Sequence, residues 1–111
     1  MKLTTEKFQH ILRLQRRVEH YHRNDSVDEK QSSILNWPSE PEKALFSYWD
    51  GLEEIERQEL IALKWTGEGD ESPQDFPAMV EEAKLHTNIS ELQKNRLSEY
   101  WENAWEKLHT L

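Results

Sequence analysis

The chain contains no cysteine and only three glycines among its 111 residues. Without a thiol it can form no disulfide bond, no thiolate zinc site and no cysteine nucleophile. It also lacks any apolar run near the roughly 20 residues needed to cross a bilayer, and its first residues, MKLTTEKFQHIL, lack the apolar segment of a signal peptide. We therefore expect a cytoplasmic protein that makes no membrane contact.

Strand-like patterns are absent as well. No segment sustains the alternation of apolar and polar side chains that marks a half-buried strand, and no repeat of fixed period is present. Apolar residues recur at helical spacing instead, and 111 residues are typical of one domain. The sequence predicts an all-α fold, a single compact bundle of about five helices, in which a basic first helix is joined by a polar linker.

Charge is unevenly distributed along the chain. Residues 1–23 carry six basic and two acidic side chains, a balance of +4, whereas the other 88 residues carry eight basic and twenty acidic ones, a balance of -12. The chain therefore divides into a basic amphipathic helix at 1–23, a polar linker at 24–33 and an acidic helical core domain at 34–111. The basic helix either docks on the protein's own acidic body or offers a surface to a different partner.

The first predicted helix runs from Thr5 to Arg23, with Thr4 or Thr5 as its N-cap. Its apolar side chains fall within about half of the helix circumference, and the opposite face is basic. The polar linker follows, and after it Trp37 precedes a proline and is expected to cover the body of the protein. We define the arginine stripe of this helix as Arg13, Arg16, Arg17 and Arg23.

Local signals place the boundaries of the next helices. Ser39 to Glu42 has the S-x-x-E spacing of a capping box, which predicts the start of the second helix. The pair Asp50–Gly51 predicts a break after that helix. A third helical pattern then ends at Trp65, with Gly67 placed as its left-handed C-cap.

The segment after Trp65 is acidic and contains two glycines, so it predicts a turn built on Gly67, Gly69 and Asp70. Ser72 or Asp75 would cap a fourth helix that runs to Leu85. From Asn88 a second capping-box spacing predicts the start of the last helix, which would continue to the C-terminus.

Tests for specific chemistry are negative. The acidic turn does not match a calcium loop, because Asp75 occupies the position that requires glycine. The turn is also unsuited to binding an anion such as phosphate, because its carboxylates would repel the negative charge. His20 and His22 are two residues apart and point away from each other on a helix, so they cannot chelate zinc together. Paired carboxylates are abundant, but no serine lies in a nucleophile-elbow context. We predict no enzyme activity, no catalytic residue, no cofactor and no metal.

Two surfaces are candidates for binding. The arginine stripe could pair with an acidic protein, while the charge of the remaining chain argues against nucleic acid as the partner. Trp101 and Trp105 are four residues apart and widen the apolar arc of the last helix. That arc would form either part of the core or a partner-binding face, which makes a homodimer one of the possible assemblies.

The segment ELIALKWTGEGD, residues 59–70, resembles a family of small helical bacterial proteins classed as a domain of unknown function. The family's pattern is matched by Ala62, Leu63, Trp65, Gly67, Gly69 and Asp70, followed by Phe76 and Ala83. The resemblance extends over about residues 44–104 and leaves out the basic first helix. It implies a helical fold and no particular activity, cofactor or catalytic residue.

The leading functional hypothesis is a small cytoplasmic, non-enzymatic interaction or regulatory protein whose partner is another protein. An alternative is an acidic mimic of nucleic acid that blocks a basic groove on its partner. A third hypothesis, weaker than both, gives the acidic turn a metal-binding or enzymatic role.

Overall fold

The computed structural model of the protein describes residues 1–23, 39–69, 72–94 and 96–109, with the side chains of residues 22 and 23 outside the description. Within these ranges the chain forms five α-helices and no strand. The helices are α1 (Thr5–Arg23), α2 (Glu40–Asp50), α3 (Glu54–Glu68), α4 (Phe76–Glu82) and α5 (Leu97–His109), with 3-10 turns at Pro73–Asp75, Ala83–Leu85 and Ile89–Leu92. The predicted all-α, single-domain fold is confirmed.

The first two helices begin where the sequence predicts. Thr4 Oγ1 accepts the Lys7 N–H at 3.2 Å, which satisfies one of the unpaired donors at the start of α1. At α2 the capping box is complete, because Ser39 Oγ accepts the Glu42 N–H and Glu42 Oε1 accepts the Ser39 N–H at 3.2 Å. Helix α2 ends at Asp50, and the predicted break at Gly51 is confirmed.

Helix α3 is longer than predicted. It continues past Trp65 to Glu68, and Gly69, with φ of 85°, is its left-handed C-cap. The assignment of that role to Gly67 is therefore wrong. Gly67 lies inside α3, where a Cβ atom would overlap the backbone of Tyr100 in α5, so it is needed for close helix packing and not for a turn.

The last helix begins later than predicted. Asn88 Oδ1 accepts the Ser90 N–H at 2.9 Å, but the turn that this bond caps is a 3-10 turn ending at Leu92. Helix α5 starts only at Leu97. The interpretation of Asn88 as the start of the last helix is therefore wrong, although its capping role is correct. Ser72 caps the 3-10 turn at Pro73–Asp75, where its side chain accepts a hydrogen bond from the Gln74 N–H.

Helix α3 is the centre of the bundle. Four consecutive residues of α3, from Leu60 to Leu63, are buried, as expected for a helix covered on several sides. Helices α4 and α5 pack against it, and α1 packs against α2 and α5. Trp49 and Trp101 are among the largest fully buried side chains.

Helix α1 is part of this core. Its buried side chains are Phe8, Ile11, Leu12, Leu14 and Val18. Helix α1 docks on the rest of the protein through these apolar side chains, while Arg13, Arg16 and Arg17 of its polar face stay exposed. The predicted linker at 24–33 and Trp37 lie outside the described residues.

Candidate functional site

The arginines of α1 lie on its solvent-facing side. Arg13, Arg16 and Arg17 are exposed, and Arg16 forms an ion pair with Glu102 of α5. Arg13 and Arg17 make no ion pair with any residue in the described ranges. Arg23 ends α1, and its side chain lies outside the description. The structure thus brings Arg13 and Arg17 together, one helical turn apart, as exposed cations.

Helical periodicity explains why these arginines face the solvent. Ile11, Gln15 and Val18 are buried against the bundle, so residues on the opposite side of α1 must face water. Arg16 lies at the border with α5 and reaches Glu102 there, which neutralises it. Among the stripe arginines whose side chains the structure describes, the uncompensated charge therefore lies at Arg13 and Arg17.

A partly buried ion pair joins α1 to α3. Lys7 Nζ lies 2.7 Å from Glu56 Oε2, whose side chain is only 3% exposed. Burial would raise the pKa of Glu56, but the hydrogen bonds from Lys7 and from the Glu53 N–H hold that pKa below its ordinary value. The hydrogen bond to Glu56 raises the pKa of Lys7 in turn. Both groups are therefore charged around neutral pH.

Next to this pair lies an open groove between α1 and α2, with a volume of about 420 Å³. Helix α1 contributes Lys7, His10 and Leu14 to its lining. Helix α2 and the turn after it contribute Ala44, Ser47, Tyr48, Gly51 and Leu52. We call this feature the α1–α2 groove. The rings of His10 and Tyr48 meet across it, with centroids 4.4 Å apart.

The sequence contains only weak signals for this groove, because His10 and Tyr48 belong to different helices. Lys7 and His10 are three residues apart, so they share one face of α1, but nothing local shows that α2 packs beside that face.

The two candidate tryptophans have different environments. Trp101 is completely buried, and its indole N–H donates to the Leu60 carbonyl oxygen at 2.9 Å, so it belongs to the core and is not available to a partner. Trp105 is only partly buried and stacks on Phe8, with ring centroids 4.1 Å apart. The partner-binding interpretation of Trp101 is wrong, because the side chain is buried. Trp105 is partly exposed, so only part of its ring can contact a partner.

The described residues of the acidic turn after α3 form no candidate binding site. Gly69 ends the helix, Gly67 lies against α5, and Asp70 lies outside the described residues. Glu68 forms an ion pair with Lys94, with 2.8 Å between Glu68 Oε2 and Lys94 Nζ. No group of three or more metal-ligating side chains is found in the described ranges, and no helix within them is long and apolar enough to cross a membrane.

Comparison with known proteins identifies a family that the chain matches. The model of a family described as "Protein of unknown function (DUF3775)" matches residues 42–109, more than half of the chain. The chain belongs to the DUF3775 family. The match confirms the resemblance to a domain of unknown function and extends slightly beyond the residues that first indicated it. No curated protein and no solved structure matches the chain.

The DUF3775 match covers nearly all of α2 and the whole of α3, α4 and α5, but not α1. The close contact of Gly67 with Tyr100 lies inside the matched region, whereas Arg13 and Arg17 lie outside it. The exposed arginines and one wall of the α1–α2 groove are thus additions to the part of the chain that matches DUF3775.

Proposed function

We propose that this protein is a small, non-enzymatic interaction module of the cytoplasm that binds an acidic surface of another protein through Arg13 and Arg17. The observation that carries the proposal is their exposure without any acidic partner in the described residues, on the outer face of a helix whose inner face is fixed in the core. A fixed helix holds the backbone of both arginines in place, so only their side chains lose conformational entropy on binding.

Charge supports a protein partner over nucleic acid. The chain carries a net charge of -8, so a polyanion would be repelled by most of the surface while being attracted by two arginines. An acidic patch on a protein is smaller and can contact α1 without meeting the rest of the surface.

The alternative, an acidic mimic of nucleic acid, would need an uninterrupted row of carboxylates. Glu99, Glu102 and Glu106 lie on the exposed face of α5. In this row Glu102 is paired with Arg16, and the exposed Lys107 is the next residue after Glu106. Both cations weaken the negative potential of that face, which favours the arginine surface as the interaction site.

The test compares capture of host proteins by three immobilised forms of the full chain: wild type, Arg13→Glu/Arg17→Glu, and the control Lys84→Glu/Arg96→Glu. Each double variant takes the net charge from -8 to -12, because each basic-to-acidic change subtracts two charges. Lys84 and Arg96 are exposed and lie outside α1.

We expect a protein partner that wild type and the control retain after nuclease treatment. The Arg13→Glu/Arg17→Glu variant should bind it at least about tenfold more weakly, because juxtaposed like charges are strongly unfavourable. Equal retention by all three forms, or loss of capture after nuclease treatment, would contradict the proposal.

A further inference from the structure

The α1–α2 groove differs from the rest of the surface in its charge. The chain has 22 acidic residues, yet none of the eight residues that line this groove is acidic. Its polar members are an ammonium group, an imidazole and two hydroxyl groups, supplied by Lys7, His10, Ser47 and Tyr48. Each of these side chains can donate a hydrogen bond, so the groove is suited to an acceptor with negative charge.

Lys7 retains donors for such a ligand. One N–H of its ammonium group bonds Glu56, and two further N–H donors remain. The Lys7 side chain is 44% exposed, whereas the Glu56 carboxylate behind it is almost fully covered. A ligand in the groove would therefore meet the ammonium group first and would not contact the buried carboxylate.

The groove also has an apolar part. Leu14 and Leu52 are nearly buried and present carbon surface to it, and Ala44 lies on the α2 side. Lys7 and Leu14 are seven residues apart on α1, a rise of about 10 Å along the helix axis. A ligand that contacts both must carry its charge at one end and an apolar body at the other.

We propose that the α1–α2 groove binds a small organic carboxylate with an aromatic or short aliphatic body. The carboxylate contacts Lys7 and His10, and the body lies along Leu14, Ala44 and the ring of Tyr48. The groove volume of about 420 Å³ lies near the lower end of the range that small-molecule pockets span, about 300–1,000 Å³. The lining of the site includes neither Arg13 nor Arg17.

The chain offers a steric test that leaves the fold intact. Ala44 is an exposed residue of α2, and leucine is a good helix former, so Ala44→Leu should fill the apolar part of the groove without disturbing the core. Ala78 is an exposed alanine of α4 away from the groove, and Ala78→Leu is the matched control. Thermal unfolding of both variants checks that they fold as wild type does.

The measurement is a titration of the 15N-labelled full chain with phenylacetate, followed by NMR, beside a titration with the neutral phenylacetamide. We expect saturable shifts at the backbone amides of His10, Ser47 and Tyr48, with a Kd of about 1 mM for a ligand of this size. Phenylacetamide should bind at least about fivefold more weakly, because it offers no ionised acceptor for the hydrogen-bond donors of Lys7 and His10.

The variants then separate the two parts of the site. Ala44→Leu should weaken phenylacetate binding at least about tenfold, while Ala78→Leu should leave it unchanged. His10→Gln should reduce the preference for phenylacetate over phenylacetamide. Absence of saturable shifts in the groove, equal binding of the acid and the amide, or unchanged binding in Ala44→Leu would overturn the proposal.

Discussion

At the scale of single residues, Gly67 sets how closely α3 and α5 can approach. A Cβ atom built there would lie 1.9 Å from the Tyr100 carbonyl oxygen, which belongs to the backbone of α5 and cannot rotate away. Gly51 differs, because its φ of -81° suits any residue and its added Cβ would make only ordinary contacts. The two glycines therefore allow a matched comparison.

We predict that Gly67→Ala lowers the free energy of unfolding by about 3 kcal/mol, at the upper end of what overpacking costs, since the two helices must move apart to relieve the overlap. Gly51→Ala should change it little or raise it by about 0.4–1 kcal/mol, because alanine restricts the unfolded chain. Chemical unfolding followed by tryptophan fluorescence measures both. A Gly67→Ala variant as stable as Gly51→Ala would show that α3 and α5 do not pack this closely.

The pair of Lys7 and Glu56 gives a prediction about pH. The folded pKa of Glu56 is lowered, so its stabilisation is present above the ordinary value of 4.5 and is lost as pH falls through the folded value. The folded pKa of Lys7 is raised, so its stabilisation is present below 10.5 and is lost as pH rises through the folded value. The pair therefore stabilises the fold between these limits.

Replacing Lys7 with methionine should accordingly lower Tm most around neutral pH, and the difference from wild type should shrink as pH falls below 4.5 or rises above 10.5. Lys43→Met is the control, because Lys43 forms only an exposed pair with Glu40. Its Tm should follow that of wild type at every pH. A Lys7→Met difference that does not vary with pH would mean that packing, and not charge, explains the effect.

At the scale of helices, α1 and α5 are joined by two contacts of different kinds. Glu19 of α1 is buried, and its carboxylate accepts the Ser98 N–H at 2.9 Å and the Ser98 hydroxyl at 2.6 Å. Since Ser98 lies in the first turn of α5, the negative charge also meets the positive end of the helix dipole. The pair of Arg16 and Glu102 joins the same helices at the exposed surface.

We predict that Glu19→Ala lowers the free energy of unfolding by about 2–3 kcal/mol, because it leaves a buried donor at the start of α5 unpaired. Glu102→Ala should cost less than about 1 kcal/mol, as exposed ion pairs do. Urea unfolding of the two variants provides the comparison. Hydrogen exchange should also quicken in the first turn of α5 for Glu19→Ala alone, and equal exchange in both variants would contradict a capping role for Glu19.

The helix ends show what local sequence can and cannot predict. Ser39 and Asn88 cap the turns that follow them, because a capping bond spans only two or three residues of the chain. The start of α5 depends on Glu19, 79 residues away from Ser98, and no local pattern contains that contact. The assignment of the C-cap to Gly67 is wrong because α3 continues to Glu68 and Gly69 has the left-handed φ. The packing of Gly67 against Tyr100 is another contact that no local pattern contains.

The candidate sites also differ in whether local sequence predicts them. The arginine stripe was visible because one helix with 3.6 residues per turn places Arg13 and Arg17 together without help from other elements. The α1–α2 groove was not, because His10 and Tyr48 meet only once two distant helices pack. The burial of Trp101 also depends on distant residues, namely the carbonyl of Leu60 and the surrounding core.

At the scale of the molecule, the family match and the folded core do not cover the same residues. The match covers residues 42–109, yet α1 contributes five buried apolar side chains and the hydrogen-bonded Glu19. Burying five such side chains stabilises a fold by an amount comparable with the whole free energy of unfolding of a domain, about 5–15 kcal/mol. Within this chain, the DUF3775 region therefore needs α1 to complete its core.

This predicts that deletion of residues 1–23 abolishes cooperative unfolding, because the surfaces of α2, α3 and α5 that α1 covers would meet water. Circular dichroism during heating and binding of an apolar dye measure the loss, and a synthetic peptide of residues 1–23 should restore both signals when added to the fragment. The peptide with Arg13→Gln and Arg17→Gln should restore them equally well, since those side chains face solvent, whereas Ile11→Asp should not. A fragment that unfolds sharply at the Tm of the full chain would show that α1 is dispensable for the core and is held on the bundle for binding alone.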